Sequence, residues 1–315
     1  MAKRLAVARP SIAAHLILGS REEPFLEALL SSISRAVDTV IVDDNASGES
    51  PHADTLSRSV FARTNRLILE RSTFVDFATA RNRCLRLHAA HDAGNWVAFI
   101  DADEIHGDLI RRIASRLQRI PANIDFVDGF TWHFFQSFDY YTSIERRMVF
   151  FRYSPDLAWH GGVHEKLHGL RGARLALPYV YPHYGHTLSA RRHAEKGRQY
   201  SGLGAAGAVV SEEMLESVDP RDYFRTDYPL LLRFYGRHPS AALPTIARLR
   251  QRYAADYALT RRMVSEAQTP SRKFINAVRR LNYEQRWRSR ALVPLARIMT
   301  GRINGTTTAP VCNRR

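Results

Sequence analysis

Gly94-Asn95-Trp96-Val97-Ala98-Phe99-Ile100-Asp101-Ala102-Asp103-Glu104 is the stretch on which the reading of this chain turns. Five apolar residues between a glycine turn and an abrupt acidic run have the length and composition of a strand buried on both faces. Three carboxylates in the next four positions sit where such a strand would leave the sheet. In an open α/β sheet, ligands bind outside the carboxyl ends of the strands. Clustered carboxylates repel one another unless a cation or hydrogen-bond donors compensate. Mg²⁺ or Mn²⁺ suits such a site, because these ions take one or two protein carboxylates and complete their shell with phosphate oxygens and water. Helix capping accounts for one aspartate easily, but not for three acids in four residues.

Working outward, short β-rich runs alternate with helical patterns through the first half, the signature of crossover helices on a mostly parallel sheet. Strands are predicted over Ser11 to Leu18, Thr39 to Val42, Arg66 to Leu69, Phe126 to Phe135 and Met148 to Arg152. Helices are predicted over Glu22 to Ala36, Phe77 to His91 and Asp108 to Arg119. The strand from Thr39 runs into a second acidic pair, Asp43-Asp44, followed by a polar loop from Ala46 to Pro51. Alternation of Phe130, Trp132 and Phe134 marks a core face. Phe138, Tyr140 and Tyr141 follow that pattern and are candidates to line a substrate cleft.

Beyond Ser189 the pattern becomes helical, with breaks at Pro220, Pro229, Pro239, Pro244 and Pro270. The division expected is a catalytic α/β domain over 1–190, a basic helical extension over 191–302 and a loose tail over 303–315. Within the extension, Phe274, Val278 and Leu281 recur at helical spacing among Arg272, Lys273, Arg279 and Arg280. Such a helix can lie on anionic lipid headgroups, and an anionic membrane surface is one partner expected.

The 315 residues are 45% hydrophobic, enough for a packed core. No apolar run approaches the ~20 residues that span a bilayer. The run from Ile12 to Leu18 is short and leads into Arg21-Glu22-Glu23, so a core strand and a cytoplasmic protein are expected rather than a signal peptide. Cys84 and Cys312 are too few for a disulfide framework or a thiolate zinc site. The formal net charge of +15 favours phosphorylated ligands, anionic membranes or nucleic acid. No zinc finger, helix-turn-helix or RNA-binding aromatic motif is evident, so no nucleic-acid partner is expected. A zinc site from His160-x3-His164 or His183-x2-His186 is disfavoured by the glycines and proline in those segments.

The chain resembles glycosyltransferase family 2, whose nucleotide-sugar fold is called GT-A. Besides the acidic stretch, the likeness is carried by Glu22-Glu23-Pro24-Phe25-Leu26, Ile41-Val42-Asp43-Asp44 and Ala80-Arg81-Asn82-Arg83-Cys84-Leu85. It continues in Trp159-His160-Gly161-Gly162-Val163-His164-Glu165-Lys166-Leu167 and Pro182-His183-Tyr184-Gly185-His186, in the family's order over roughly residues 11 to 200. The resemblance implies a GT-A-like Rossmann-type sheet flanked by helices. It implies that Asp43, with Asp44 beside it, contacts the base or ribose of the donor, and that Arg81 faces the nucleotide or its diphosphate.

Asp101 and Asp103 correspond to the Asp-x-Asp motif, Asp103 being the more direct contact to Mn²⁺ or Mg²⁺, and His183 completes the metal site. Glu165 falls where the base of inverting members stands, in an apolar setting of Trp159, Val163 and Leu167. The implied reaction moves a sugar from a nucleotide diphosphate sugar, a UDP-sugar before GDP- or dTDP-sugars, to a glycan or lipid-linked acceptor. The chain departs from the pattern at Leu18-Gly19-Ser20-Arg21, which lacks the usual aromatic-Asn pair, and at Gly48, near where an acid is usual. Two other classes compete: a nucleotidyltransferase on a similar sheet, and a basic nucleic-acid binder without catalysis. The first usually opens with a glycine-rich basic loop, and Gly19-Ser20-Arg21-Glu22-Glu23 offers one glycine and two acids.

Overall fold

A computed structural model describes residues 11–204, 211–216 and 218–284. Its strands are β1 (Ile12–Leu18), β2 (Thr39–Asp44), β3 (Leu67–Arg71), β4 (Trp96–Phe99), β5 (Ile124–Phe135), β6 (Tyr140–Arg152), β7 (Ala158–His160), β8 (Lys166–His168), β9 (Ala173–His186) and β10 (Leu232–Arg233). The main sheet has the order β3-β2-β1-β4-β6-β5-β9, with β10 added to β6. β3, β2, β1 and β4 pair in parallel, β6 runs against both β4 and β5, and β5 and β9 are parallel again. The sheet is therefore mostly parallel with β6 reversed, and helices cover both faces, as the sequence leads one to expect.

Strand alternation sorts the two faces. Ile12, Ala14, Leu16 and Leu18 of β1 pack with Val40 and Val42 against the helix Leu26–Ile33. Ala13 and Ile41 turn the other way, onto Cys84 of the helix Phe77–Ala90. Cys84 is fully buried, and burial pushes its thiol up to about 12. β4 divides likewise, Trp96 and Ala98 to the first face and Val97 and Phe99 to the second. Consecutive apolar residues in these strands reflect burial on two sides.

Three expectations need correction. β6 is much longer than Met148 to Arg152, beginning at Tyr140. Glu145-Arg146-Arg147 hid its alternation, because charges are not read as strand interior until their partners are known. Those partners exist: Arg146 Nε meets the buried Asp128 at 2.6 Å, and Arg147 meets Asp101 and Glu104. Second, Phe138, Tyr140 and Tyr141 do not line a cleft. All three are buried in aromatic clusters at the start of β6, Phe138 against Phe25, Tyr184 and Tyr257. Third, the helix expected over Asp108 to Arg119 is one short helix, Leu109–Ala114, followed by a 3-10 turn, Leu117–Arg119.

The helical region begins at Ser189, whose side chain accepts from the Arg192 amide and caps the helix Ala190–Gly202. Residues 270–284 are also helical. Trp287, the remainder of the basic stretch to Ile298 and the tail over 303–315 lie outside the described residues. Among the described residues, no helix is long and apolar enough to cross a membrane.

Candidate active site

The carboxyl ends of β1 and β4 open into a cleft of about 1200 Å³. Asp101 and Asp103 stand on its floor, just past the end of β4. The segment is fixed by backbone bonds to β9: the Tyr184 amide donates to the Asp103 carbonyl at 2.9 Å, and the Ile105 amide to the Pro182 carbonyl at 3.2 Å. That pairing brings His183 over the acids. Ligand atoms of Asp101, Asp103 and His183 all lie within 4.8 Å of one another.

An oxygen-rich donor set with one imidazole fits Mn²⁺ or Mg²⁺. Two further observations agree with a cation there. His183 Nε2 stands 3.1 Å from Asp103 Oδ1, while His183 Nδ1 is buried without a hydrogen-bond partner. Gly185 keeps the space open, since a Cβ there would meet Asp103 Oδ2 at 2.3 Å and His183 at 3.0 Å.

Charge around the acids is balanced by long cations from three elements. Arg81, on the helix Phe77–Ala90, donates from Nη2 to Asp101 Oδ1 at 2.7 Å and from Nε to Glu165 Oε1 at 3.2 Å. Arg147 of β6 bonds the other Asp101 oxygen and holds Glu104 Oε1 at 2.8 Å. Lys196 Nζ, from the helix Ala190–Gly202, stands 4.0 Å from Asp103 Oδ2. Burial pushes the Asp101 carboxyl up, but Arg147 and Arg81 outweigh it and hold the group well below the usual carboxylate range. Asp103 is also drawn down: burial opposes ionisation, and His183 and Lys196 more than compensate. Both acids are thus anionic at neutral pH, the state a metal ligand needs.

Glu104, the third acid of the run, does not face the cleft. It is fully buried, accepts from the Asp101 amide at 3.0 Å, and is raised to about 7 by burial, with Arg147 opposing and Asp101 adding to the rise. Its place is behind the site, bracing the turn. Glu23, on the cleft wall, is also lifted to about 7, by burial and by Asp103, against the pull of Arg192, Lys196 and Arg21.

The run Ala80-Arg81-Asn82-Arg83 divides its work by helical direction. Arg81 reaches the cleft. Asn82 clasps the Trp159 backbone through both its amide atoms, at 2.8 and 2.9 Å. This fixes β7 and the loop after it, which turns through Gly161 (φ 101°) and His164 (φ 56°) and places Glu165 in the cleft wall. Few residues other than glycine adopt that left-handed backbone, and such strain concentrates at functional sites. Glu165 does not sit in the apolar setting expected of it: its carboxylate is drawn to Arg81, which stacks on Phe99 with its carbon 4.3 Å from the ring centre.

Asp43 and Asp44 are not brought into this group. They are 0% and 1% exposed, beneath the cleft wall rather than on it. Asp43 accepts from Ser72 Oγ at 2.5 Å and lies 3.6 Å from Arg83 Nη1. Asp44 accepts from the Ala46 amide at 3.1 Å and pairs at 3.9 Å with Arg71. The residues that reach the cleft there are Asn45 to Gly48 and Arg71 to Phe74.

Sequence reasoning missed Arg147, Glu145, His133 and Lys196, all of which line the cleft. Once β6 is known to begin at Tyr140, alternation places Glu145 and Arg147 on one face and Arg146 on the other. His133 is the register partner of His183 across β5 and β9, with ring centres 5.0 Å apart. Lys196 and Tyr200 come from beyond residue 190, so the cleft draws on the helical region as well as the sheet.

No protein-family model matches the chain, and no curated protein matches it. Among solved structures, the likenesses are distant. One is GalNAc-T7 with UDP, GalNAc and Mn²⁺, at 10% identity and TM-score 0.31, over 39% of this chain and 24% of that one. A second is the mannosyltransferase PcManGT of Pyrobaculum calidifontis with GDP-Man and Mn²⁺, at 14% identity and TM-score 0.40, over 94% and 89%. A third, from Bacillus anthracis, is described as a glucose-1-phosphate thymidylyltransferase in complex with sucrose, at 10% identity and TM-score 0.32, over 46% and 72%.

Proposed function

We propose that this chain is a metal-assisted glycosyltransferase, moving a sugar from a nucleotide diphosphate sugar to an acceptor hydroxyl with inversion. The observation that carries the reading is the convergence of Asp101, Asp103 and His183 on the floor of a large cleft with cationic walls. When bound there, Mn²⁺ or Mg²⁺ supplies Lewis-acid stabilisation of the negative charge that a departing diphosphate acquires.

The chain's own residues do the rest. Arg81 and Arg147 hold Asp101 in one orientation from both sides, so the site is preorganised. Lys196, Arg192 and Arg21 give the wall beside Asp103 a positive field that suits phosphate oxygens. Asn45 to Gly48 and Ser72 to Phe74 form the end of the cleft at β2 and β3, and we assign the nucleoside to it. Asp43 and Asp44 then act from behind, holding that wall in place. UDP is the nucleotide we favour, with a glycan or lipid-linked hydroxyl as acceptor.

Glu165 is the base in this reading. Arg81 fixes Oε1, leaving Oε2 to take the acceptor's proton as the oxygen attacks the anomeric carbon and the bond from that carbon to the diphosphate breaks. Positioned proton transfer of this kind contributes about 10²–10⁴-fold. Glu165→Gln should therefore lose turnover by that order while retaining donor affinity, and an enzyme with near-parent turnover would remove Glu165 from this role. The donor is tested by thermal shift with UDP, GDP, dTDP and CDP, each with and without Mn²⁺, since a ligand specific to the native state raises the melting temperature. A UDP shift that requires Mn²⁺ is expected. A shift with none of the four would overturn the reading.

A further inference from the structure

The helix over 270–284 is arranged with its apolar side outward. At 100° per residue, Phe274, Val278 and Leu281 form one stripe and Ile275 borders it. These side chains are 70%, 50%, 59% and 45% exposed. The opposite side is tied to the body of the protein by polar groups. Asn276 donates to the Pro229 carbonyl at 3.0 Å, Arg279 to the carbonyls of Leu230 at 2.8 Å and Thr142 at 3.1 Å, and Arg280 to the carbonyl of Arg233 at 2.9 Å. A surface helix normally buries its apolar stripe and shows water its charges. This one does the reverse, so the orientation is held by specific hydrogen bonds rather than left to chance.

The surroundings say what the stripe faces. Lys273 is exposed on the helix itself and Arg233, whose carbonyl accepts from Arg280, is exposed beside it, and Tyr235, 74% exposed, lies under the Arg280 guanidinium at 4.7 Å. Beyond Glu284 the sequence holds seven arginines and no acidic residue. Exposed aliphatic and aromatic residues ringed by cations match a bilayer interface with anionic headgroups, where apolar burial and charge attraction add. The place of the helix in the fold gives this a use. Thr142 of β6, which accepts from Arg279, is three residues from Glu145 in the cleft wall, roughly 10 Å along the strand.

We propose that this face docks on anionic lipid bilayers and brings the Glu145 side of the cleft toward the membrane surface. The docking rests on the patch alone and stands or falls separately from the donor chemistry. The test is co-sedimentation of the full chain with vesicles of phosphatidylcholine alone or with 30% phosphatidylglycerol, at about 0.1 M salt. We expect binding to the anionic vesicles, little to the neutral ones, and weakening by about tenfold or more in the triple variant Phe274→Ser, Val278→Ser, Leu281→Ser. Because these side chains point outward, the variant should keep the parent melting temperature. Lys273→Glu with Arg233→Glu gives a second variant that should also lose anionic binding. Failure of the parent to bind anionic vesicles, or equal binding by the triple variant, would overturn the proposal. So would a parent that is dimeric by light scattering without lipid while the triple variant is monomeric, since a second copy would then be the occupant.

Discussion

β2 and β4 flank β1 on either side, and each ends in acids at the same edge of the sheet, yet the two ends have opposite fates. At β2, Asp43 and Asp44 are sealed and committed to near neighbours: a serine from just beyond β3, an amide two residues on, and arginines along their outer side. At β4, the side chains of Asp101 and Asp103 remain 31% and 15% exposed, and their partners reach in from β6, β9 and the helices Phe77–Ala90 and Ala190–Gly202. An acidic strand end is therefore not a site by itself. What decides is the neighbour across it. A short donor just beyond β3 closes over Asp43, whereas the side chains that meet Asp101 and Asp103 are long cations and a histidine, and those two acids keep a face to the cleft.

If that contrast is sound, substitutions at the two ends should separate function from stability. Asp103→Asn should lower turnover roughly 10²–10³-fold, as loss of one preorganised charge-stabilising group does, with a melting temperature close to the parent's. Steady-state kinetics and a thermal melt on the same sample decide it, and a variant that is merely unstable would erase the distinction. The reverse holds for Asp43→Ala. Removing it takes the buried carboxylate from Ser72 and from Arg83, which keeps only Ser72 Oγ and the Thr73 carbonyl, and should cost about 2–4 kcal/mol in denaturant unfolding, while Mn²⁺-dependent nucleotide uptake by the folded protein persists.

The support behind β4 can be probed by pH. His106, in the turn after the acidic run, is buried against Tyr179 and Tyr181, and burial, with Arg147 adding, drives its imidazole down to about 3. In the unfolded chain it titrates near 6.5, so folding requires the neutral form. Its contribution is fully present above 6.5 and is lost as pH falls toward 3. Between pH 6.5 and 5 this removes roughly 2 kcal/mol of stability. His106→Phe should flatten that slope, and an unchanged slope would show the ring is not held neutral. The smallest effect expected is at Lys196, the cation nearest Asp103. Lys196→Met should weaken donor binding by about tenfold, the worth of one charged hydrogen bond. Titration calorimetry would show whether the loss is confined to ligands that carry a diphosphate.

How far the sequence spoke follows the same line. β1, β2 and β4 were legible because burial on both faces leaves unbroken apolar runs, and the acids that end β2 and follow β4 have no reason to be hydrophobic. Ala80-Arg81-Asn82 and Val163-His164-Glu165 were legible as resemblance, and the structure joins them through Asn82 and Trp159. Arg147 was not, since its strand reads as charged until Asp101 and Glu104 are set opposite it. Lys196 looked like one of many basic residues in a helical region, and only the capped turn at Ser189 aims it back into the cleft. Neither did the sequence separate Asp43 from Asp101, because their difference lies in which strands stand across from them.

The most direct measurement of the central claim is calorimetric titration of the full chain with UDP in the presence and absence of Mn²⁺, repeated on a variant carrying both Asp101→Asn and Asp103→Asn. The account predicts tight uptake only with the ion, abolished in the double variant while the fold is intact. Equal nucleotide affinity with and without Mn²⁺ in the parent, or undiminished Mn²⁺-dependent uptake by the double variant, would contradict it.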